Sequence, residues 1–258
     1  MFARSATFID SMDREFGNKH FPEDDCISND LNKLGKHAIA VGTPSARISL
    51  VNDGNVMASI EEKADLIGRI YKNIGSIQES LTEAGTIPGK RGRQEAQVTL
   101  LHRRIARLHA QAEREVLMNY LYCVHRTGAT HAGWDSVAVD TRGKRGTLAK
   151  AITFMPKKKG LMAEFEAWAM DAKEAGKLPR FVEVVPVSPY TSQACDECYA
   201  RTGKQARTRS KDAKYHEFTC TTPGCPNHDA IANRHEVSAR VSAILLKNRV
   251  ENAVSAGT

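Results

Sequence analysis

Four cysteines toward the C-terminal end carry the most specific chemical signal in the 258-residue chain. They stand in two close pairs, Cys195 with Cys198 and Cys220 with Cys225, separated by a 21-residue arm. A tetrahedral zinc ion takes four thiolate ligands from two short turns, and a Cys-x2-Cys pair facing a second close pair supplies that arrangement. The spacing therefore predicts a structural zinc site. Four reduced cysteines in a protein core are the alternative.

The arm between the two cysteine pairs is basic. From Tyr199 to His216 the single acid, Asp212, stands against six lysines and arginines. A metal at the cysteines would therefore hold a basic finger rather than a catalytic pocket. The six cations of the arm are Arg201, Lys204, Arg207, Arg209, Lys211 and Lys214.

Positive charge is concentrated in the main body of the chain. The net charge is +7, but residues 1–35 hold seven acids and four bases, which leaves +10 for the rest. Residues 141–160 contain seven lysines or arginines and no acid. Such segments predict binding to phosphate, and hence to DNA or RNA; a solvated loop is the alternative for the 141–160 run. The predicted nucleic-acid-binding residues are Arg103, Arg104, Arg107, Arg142, Lys144, Arg145, Lys157, Lys158, Lys159, Arg201, Lys204, Arg207 and Arg209.

Composition narrows the class of protein further. At 41% hydrophobic and 26% charged residues the chain can bury a core. No apolar run approaches the ~20 residues that span a bilayer, and residues 1–12 lack the pattern of a secretion signal. Two cysteines, Cys26 and Cys123, lie far from the others, which suits a reducing compartment better than a disulfide framework. We therefore expect no membrane partner and a cytoplasmic location, nucleoid-associated in a prokaryote or a virus-infected prokaryote.

The elements that must position these residues follow from hydrophobic periodicity. Short apolar runs predict antiparallel strands at 37–41, 48–51 and 56–60, with a tight Asp53-Gly54 turn before the third. From Ile60 onward, helical spacing predicts two amphipathic helices that form a hairpin, broken by a Gly- and Arg-rich turn. Downstream, the pattern predicts strands at 134–140 and 181–187 and helices at 161–175 and 230–250.

This order of elements is typical of an RNase H-like α/β fold with a mixed sheet. We predict an acidic leader (1–35), an RNase H-like domain (36–190) carrying the helical hairpin (60–126), a zinc ribbon (191–228), a final helix (229–250) and a flexible tail (251–258). Trp134, Phe165 and Trp168 are assigned to the core. Tyr190 and Tyr215 lie beside the ribbon, where stacking on bases is an alternative role.

The stretch from Val184 to Cys198, Val-Val-Pro-Val-Ser-Pro-Tyr-Thr-Ser-Gln-Ala-Cys-Asp-Glu-Cys, resembles the RuvC-like nuclease half of TnpB transposon-associated proteins and type V CRISPR effectors. In that family a strand leads through a Thr-Ser-Gln turn into the zinc knuckle. The Arg-rich helix at 102–122 and the strand at 136–140 are similar as well. The resemblance covers about residues 36–246, and it implies a guide RNA and a recognition half that a second polypeptide would have to supply.

The resemblance also implies an active site in which carboxylates hold two Mg²⁺ ions for phosphodiester cleavage. The first acid of the family lies on the opening strand, and Ala40 stands at the matching position in Ala38-Ile39-Ala40-Val41-Gly42. Asp140 matches the second acid, at the end of the central strand. The third acid opens the last helix, where one alignment selects Asp229, which we prefer, and another selects Ile231. A strand-end cap for Asp140 and a helix cap for Asp229 are the alternatives.

Three functions follow from these observations. The leading one is a TnpB-type nucleic-acid-binding protein with impaired or lost cleavage, since a methyl group at Ala40 cannot ligate a metal. The second is an active Mg²⁺-dependent nuclease, in which Ala40 is engineered or is replaced by another acid such as Asp53 or Asp135. The third is a scaffold subunit of a nucleoprotein assembly. His228 and His235 are either extra ligands or surface residues, and we favour the surface.

Overall fold

The fold is described here from a computed structural model that covers residues 3–16, 20–32, 38–48, 55–83, 88–135, 158–178, 182–187, 191–228 and 230–256. Within these ranges the helices are α1 (Ala3–Phe16), α2 (Asn55–Glu83), α3 (Pro88–Thr127), α4 (Lys158–Glu174), α5 (Asp196–Thr202) and α6 (Arg234–Ala256). The strands are β1 (Cys26–Leu31), β2 (Ile39–Gly42), β3 (Arg47–Ile48), β4 (His131–Asp135), β5 (Glu183–Val187), β6 (Glu217–Phe218) and β7 (Ala232–Asn233).

Five of the strands form one mixed sheet in the order β3-β2-β1-β4-β5. β1, β2 and β3 are joined by antiparallel pairing, whereas β4 runs parallel to both β1 and β5. The α/β class expected from the sequence is confirmed. β6 and β7 form a separate two-stranded ribbon near the cysteines.

The middle strand of the sheet comes from the segment predicted as an acidic leader. Side chains alternate across β1, so that Ile27 and Leu31 enter the main core while Ser28 and Asp30 face the opposite side. Helix α1 adds Ile9 to the same core. The boundary predicted at residue 36 is therefore misplaced, because the acids around β1 hide a short strand that is buried between two neighbours.

Helices cover the two faces of the sheet. The α2–α3 hairpin and α4 cover the face that carries Ile27, and the hydroxyl of Tyr120 on α3 donates to the carbonyl of Gly133 at 2.7 Å. Helix α6 packs on the other face, against β1 and β2. It approaches β2 so closely that a Cβ on Gly42 would lie 2.6 Å from the backbone nitrogen of Arg240. This glycine is the feature that lets α6 pack closely on the sheet.

Several predicted elements differ in their bounds. The strand expected at 56–60 is the start of α2, because Ile60, Ile67 and Ile74 continue one buried helical stripe through it. The break expected after residue 85 is shorter, since α3 begins at Pro88, a residue suited to the first helical position. The final helix begins at Arg234 rather than at 230. None of the described helices is both long and apolar enough to cross a membrane.

Candidate functional site

The four cysteines converge as the sequence predicted. One ligand atom from each of Cys195, Cys198, Cys220 and Cys225 lies within 4.8 Å of all the others, and all four residues are buried. The Sγ atoms of Cys195 and Cys225 are 3.4 Å apart, and those of Cys198 and Cys220 are 3.7 Å apart. This cluster could hold a metal ion such as zinc.

Local donors and burial set the charge of the thiols. Burial raises the pKa of Cys195 and of Cys225, which favours the protonated thiol in both. Burial also opposes ionisation of Cys220, but hydrogen bonds from Thr222 outweigh it and lower the pKa of Cys220 to about 7. Cys195 and Cys225 therefore hold their protons more tightly than Cys220 does, and a cation that binds them must displace those protons.

A buried carboxylate beside the cysteines anchors this region to the sheet. Asp196, whose side chain is fully buried, accepts hydrogen bonds from Nε and Nη2 of Arg47 at 2.6 and 2.8 Å. Asn227 donates to the same carboxylate at 2.9 Å and to Sγ of Cys195 at 3.2 Å. Arg240 of α6 lies 3.4 Å away. The network joins the cysteine cluster to β3 and α6, and nothing in the local sequence predicted it.

A second polar site lies where β1 and β4 end. The parallel register pairs Ser28 with Gly133, and two residues further along each strand stand Asp30 and Asp135. Because side chains alternate along a strand, both aspartates share the face of Ser28 and Gly133, which α6 covers. Neighbouring strands are about 4.8 Å apart, so the two aspartates stand on adjacent strands at the same end of the sheet.

Asp30 is held by donors from its own strand end and from α6. Its Oδ2 atom lies 2.8 Å from Nδ1 of His235 and accepts from Nδ2 of Asn32 at 2.8 Å, while Oδ1 accepts from Oγ of Ser238 at 3.3 Å. Burial alone would raise the pKa of Asp30, but the hydrogen bond and charge of His235, helped by Asn32, hold that pKa below its usual value. Asp30 is therefore an ionised carboxylate that is already engaged.

Asp135 is tied to the backbone of β1. Its Oδ2 atom accepts from the amide of Leu31 at 3.3 Å, and its own amide donates to Oδ1 of Asn29 at 3.1 Å. Asn29 is 1% exposed, and its Nδ2 atom has no hydrogen-bond partner among the described residues. These bonds tie the two strand ends together, and the unused buried donor of Asn29 lies on the face of β1 opposite Asp30.

His235 connects Asp30 to the arm between the two cysteine pairs. It is completely buried, and its Nε2 atom lies 2.9 Å from Nδ1 of His216 on the arm. The prediction that His235 is a surface residue is therefore wrong, because the arm folds over the start of α6. His228, in contrast, is partly exposed.

The first predicted acid position needs correction. Ala40 is buried on β2, next to the opening strand rather than on it, and the register places Ala40 directly opposite Asp30. Asp30 therefore places a carboxylate one strand away from the position that the resemblance selects. The remaining predictions at Asp140, Asp229, Arg142, Lys144, Arg145 and Lys157, and those for the side chains of Lys158 and Lys159, lie outside the described residues.

The described basic residues fall into two groups. Arg103, Arg104 and Arg107 are exposed on α3, and Arg201, Lys204 and Arg207 are exposed on or just after α5. Arg209 behaves differently, because its guanidinium donates to the carbonyls of Glu217 at 3.1 Å and Lys214 at 2.7 Å. We therefore assign Arg209 to bracing the arm, whereas the other cations present their charge to solvent.

Sequence reasoning missed Asp30 as a site residue. A signal existed in the run Cys-Ile-Ser-Asn-Asp-Leu, where two apolar positions precede an acid as in a strand that ends at a carboxylate. Asp135 had been named as a possible replacement acid, and its position beside Asp30 supports that alternative. A comparison with protein-family profiles and one with curated proteins both returned no match for this chain.

The donors at the strand ends fit one cation better than two. Two carboxylates and an imidazole suit a single divalent ion such as Mn²⁺. Among the described residues, however, the cysteine cluster is the only group of three or more potential ligands drawn within 4.8 Å of one another. A cation at Asp30 and Asp135 therefore requires His235 to give up its hydrogen bond to Asp30.

Proposed function

We propose that this chain is a nucleic-acid-binding protein of RNase H-like (RuvC) architecture, similar to TnpB, with a structural zinc ribbon and impaired phosphodiester cleavage. The observation that carries the proposal is the contact between Asp30 and His235 at 2.8 Å, at the end of the middle strand. The contact supports the proposal because it puts a carboxylate at a strand end and engages that carboxylate with a side chain of the last helix.

The arrangement of elements supports the architecture. Three antiparallel strands followed by two parallel ones, with the last helix packed across β1 and β2, match the order that the family resemblance implies. Both paired aspartates lie at the carboxyl ends of strands, as the first two acids of such a site would. Exposed cations on α3 and on the ribbon supply charge for the sugar-phosphate backbone.

The start of α6 supports the loss of activity. The resemblance implies a third carboxylate where the last helix opens, for which the sequence favours Asp229, and α6 itself opens with Arg234 and His235. Divalent metal ions bound at such a site activate water and stabilise the leaving oxygen. In this chain His235 contacts Asp30 at 2.8 Å, and its neighbour Glu236 accepts from Asn233 at 3.3 Å as part of the helix start.

An active metal-dependent nuclease is the second candidate. The level placement of Asp30 and Asp135 on neighbouring parallel strands favours it, since two of the implied acids are then in place. His235 would in that case serve as a ligand after releasing Asp30. The two candidates differ in the activity expected of the unmodified chain.

The deciding experiment compares cleavage of labelled single- and double-stranded DNA and RNA by the unmodified chain, His235→Asp, and His235→Asp combined with Asp30→Asn, in Mg²⁺ and in Mn²⁺. If cleavage is impaired in the unmodified chain, His235→Asp should cleave at least tenfold faster than the unmodified chain. The double variant should not cleave. Efficient cleavage by the unmodified chain that Asp30→Asn abolishes would establish the second candidate. Failure to bind any nucleic acid at low salt would overturn both.

The same protein preparation can be used to identify the binding partners of the chain. Sequencing the RNA or DNA that copurifies with the chain tests for a guide RNA. A large copurifying polypeptide would identify the separate recognition half that the resemblance implies. Binding should weaken steeply as salt rises, because it depends on phosphate contacts.

A further inference from the structure

Tyr215 is an exposed aromatic side chain on the arm, separated from Asp30 by the buried His235. Its side chain is 60% exposed, and it precedes His216, the arm residue that contacts His235. The ring centroids of Tyr215 and His235 are 6.1 Å apart. Asp30, the next residue in this chain of contacts, lies at the far side of His235. Among the large hydrophobic side chains exposed in the described structure, Tyr215 is the one aromatic residue.

The ring of Tyr215 is held in place although it is exposed. The guanidinium carbon of Arg234 lies 4.6 Å from the ring centroid, and the imidazole of His216 packs nearly perpendicular to the ring, with centroids 4.7 Å apart. The amide of Arg234 donates to the carbonyl of His216 at 2.9 Å, which fixes the two flanking segments together. Among the described residues the tyrosine hydroxyl has no hydrogen-bond partner, so burial of a polar tip does not account for its placement.

Cations surround this aromatic surface. Lys214, the preceding residue, has a side chain that is 84% exposed and pairs with Glu217 at 3.6 Å, where water screens the pair. Arg209 braces the backbone under the tyrosine, and its guanidinium lies close enough to Arg234 for their like charges to interact. An aromatic ring among positive charges is the combination that proteins use to bind unpaired nucleotides, with the base stacked on the ring and the phosphate drawn to the cations.

We infer that Tyr215, backed by Arg234, is a stacking site for one unpaired nucleobase, with the adjoining phosphate drawn to the cations around the ring. The inference rests on the proposed function in that the ligand is a nucleic acid. It does not depend on cleavage, because stacking needs neither the aspartates nor a metal at them. The site distinguishes unpaired from paired nucleotides, since a base within a duplex has no free face for the ring.

The test measures binding of a fluorescent oligothymidylate 20-mer and of a matched 20-base-pair duplex in buffer without Mg²⁺ or Mn²⁺. The proteins are the unmodified chain, Tyr215→Ala, Tyr215→Phe and Lys214→Ala, each with zinc content and thermal unfolding checked. We expect Tyr215→Ala to weaken single-strand binding about tenfold and duplex binding less than twofold. Tyr215→Phe should bind as the unmodified chain does. Lys214→Ala should weaken both ligands alike and reduce the salt dependence.

The inference is overturned if Tyr215→Ala binds the single strand as tightly as the unmodified chain, or if it weakens single strand and duplex equally. It is also overturned if Tyr215→Phe loses as much affinity as Tyr215→Ala, because the hydroxyl would then be the binding group. Cleavage assays separate the two proposals. If binding depends on Tyr215 but His235→Asp does not cleave, the stacking site is supported and the nuclease site is rejected. If cleavage occurs and Tyr215→Ala does not affect it or the binding, the nuclease site is supported and the stacking site is rejected.

Discussion

Asp30 and His235 are 205 residues apart in the chain, and their side chains lie 2.8 Å from each other beneath the arm between the two cysteine pairs. The contact joins the middle strand of the sheet to the first turn of the last helix. The histidine is fully buried and the aspartate side chain is 16% exposed, so the contact is largely shielded from water. This pair connects the stability of the fold to the chemistry of the site.

Replacing the histidine should destabilise the protein. His235→Ala leaves an ionised, largely buried Asp30 without its main partner and opens a cavity, so we expect a loss of about 2 kcal/mol or more in the free energy of unfolding. His216→Ala, at the exposed end of the same contact, should cost less than half as much. Urea unfolding followed by tryptophan fluorescence measures both. Equal losses in the two variants would contradict the assignment.

The loss of folding stability at low pH should depend on Asp30. Because the pKa of Asp30 is lowered in the folded state, its contribution to stability is complete above the unfolded value of about 3.9 and is lost as the pH falls below it. We expect the free energy of unfolding to fall more steeply between about pH 5 and pH 3 in the unmodified chain than in Asp30→Asn. The cysteine cluster is common to both proteins, so the difference isolates Asp30. Parallel curves would rule out this contribution.

Two glycines should respond to the same substitution with opposite sign. A Cβ at Gly42 would lie 2.6 Å from the backbone of Arg240, whereas one at Gly68, in the middle of α2, would meet nothing within 4 Å. Gly42→Ala must push α6 away from β2 and should destabilise by about 2 kcal/mol. Gly68→Ala should stabilise by about 1 kcal/mol, since alanine favours a helix. Thermal unfolding of the two variants provides the comparison.

The zinc content of the protein should depend on the four clustered cysteines and not on Cys26 or Cys123. The unmodified chain should contain one zinc ion per polypeptide by elemental analysis. Cys198→Ser should lose most of it and unfold at a lower temperature, whereas Cys123→Ala, a buried core change on α3, should keep the metal. Acidification should release the ion because protons compete for the thiolates. Full zinc occupancy in Cys198→Ser would exclude the cluster as the binding site.

Asp196 and Arg47, which anchor the cysteine cluster to the sheet, should contribute to stability cooperatively. Asp196→Ala leaves Arg47 and Arg240 without their shared carboxylate and should cost about 3 kcal/mol, whereas Asp212→Ala, on the exposed arm, should cost almost nothing. In a double-mutant cycle, Asp196→Ala and Arg47→Ala should show an interaction of at least about 1 kcal/mol. Additive losses would mean that the bidentate contact contributes little.

The cysteine cluster could be predicted from the sequence because its geometry is local. Two short turns bring each pair together, and the spacing within each pair already restricts the chemistry. The anchor at Asp196 could not be predicted in this way, since its partners Arg47 and Arg240 lie on β3 and α6. Nothing in the residues around Asp196 indicates which distant arginines will face it.

The paired aspartates illustrate a second limit. Asp30 lies in a segment whose acids suggested an exposed leader, and its role emerges only from the register of β1 against β4, more than a hundred residues later. The resemblance selected Ala40 as the first acid position because 38–42 also forms a buried strand, and that strand is the immediate neighbour of the one that carries Asp30. Periodicity finds a strand, but it does not give the order of strands in a sheet.

The packing of α6 on β1 and β2 has a consequence for biosynthesis. A ribosome would release the middle strand early, yet one face of that strand stays uncovered until the helix from 234 to 256 has been translated. The nascent sheet therefore carries an exposed flank through most of elongation. We expect chaperone association during synthesis to persist until the last helix emerges, and a stop codon placed before residue 234 to yield aggregated polypeptide.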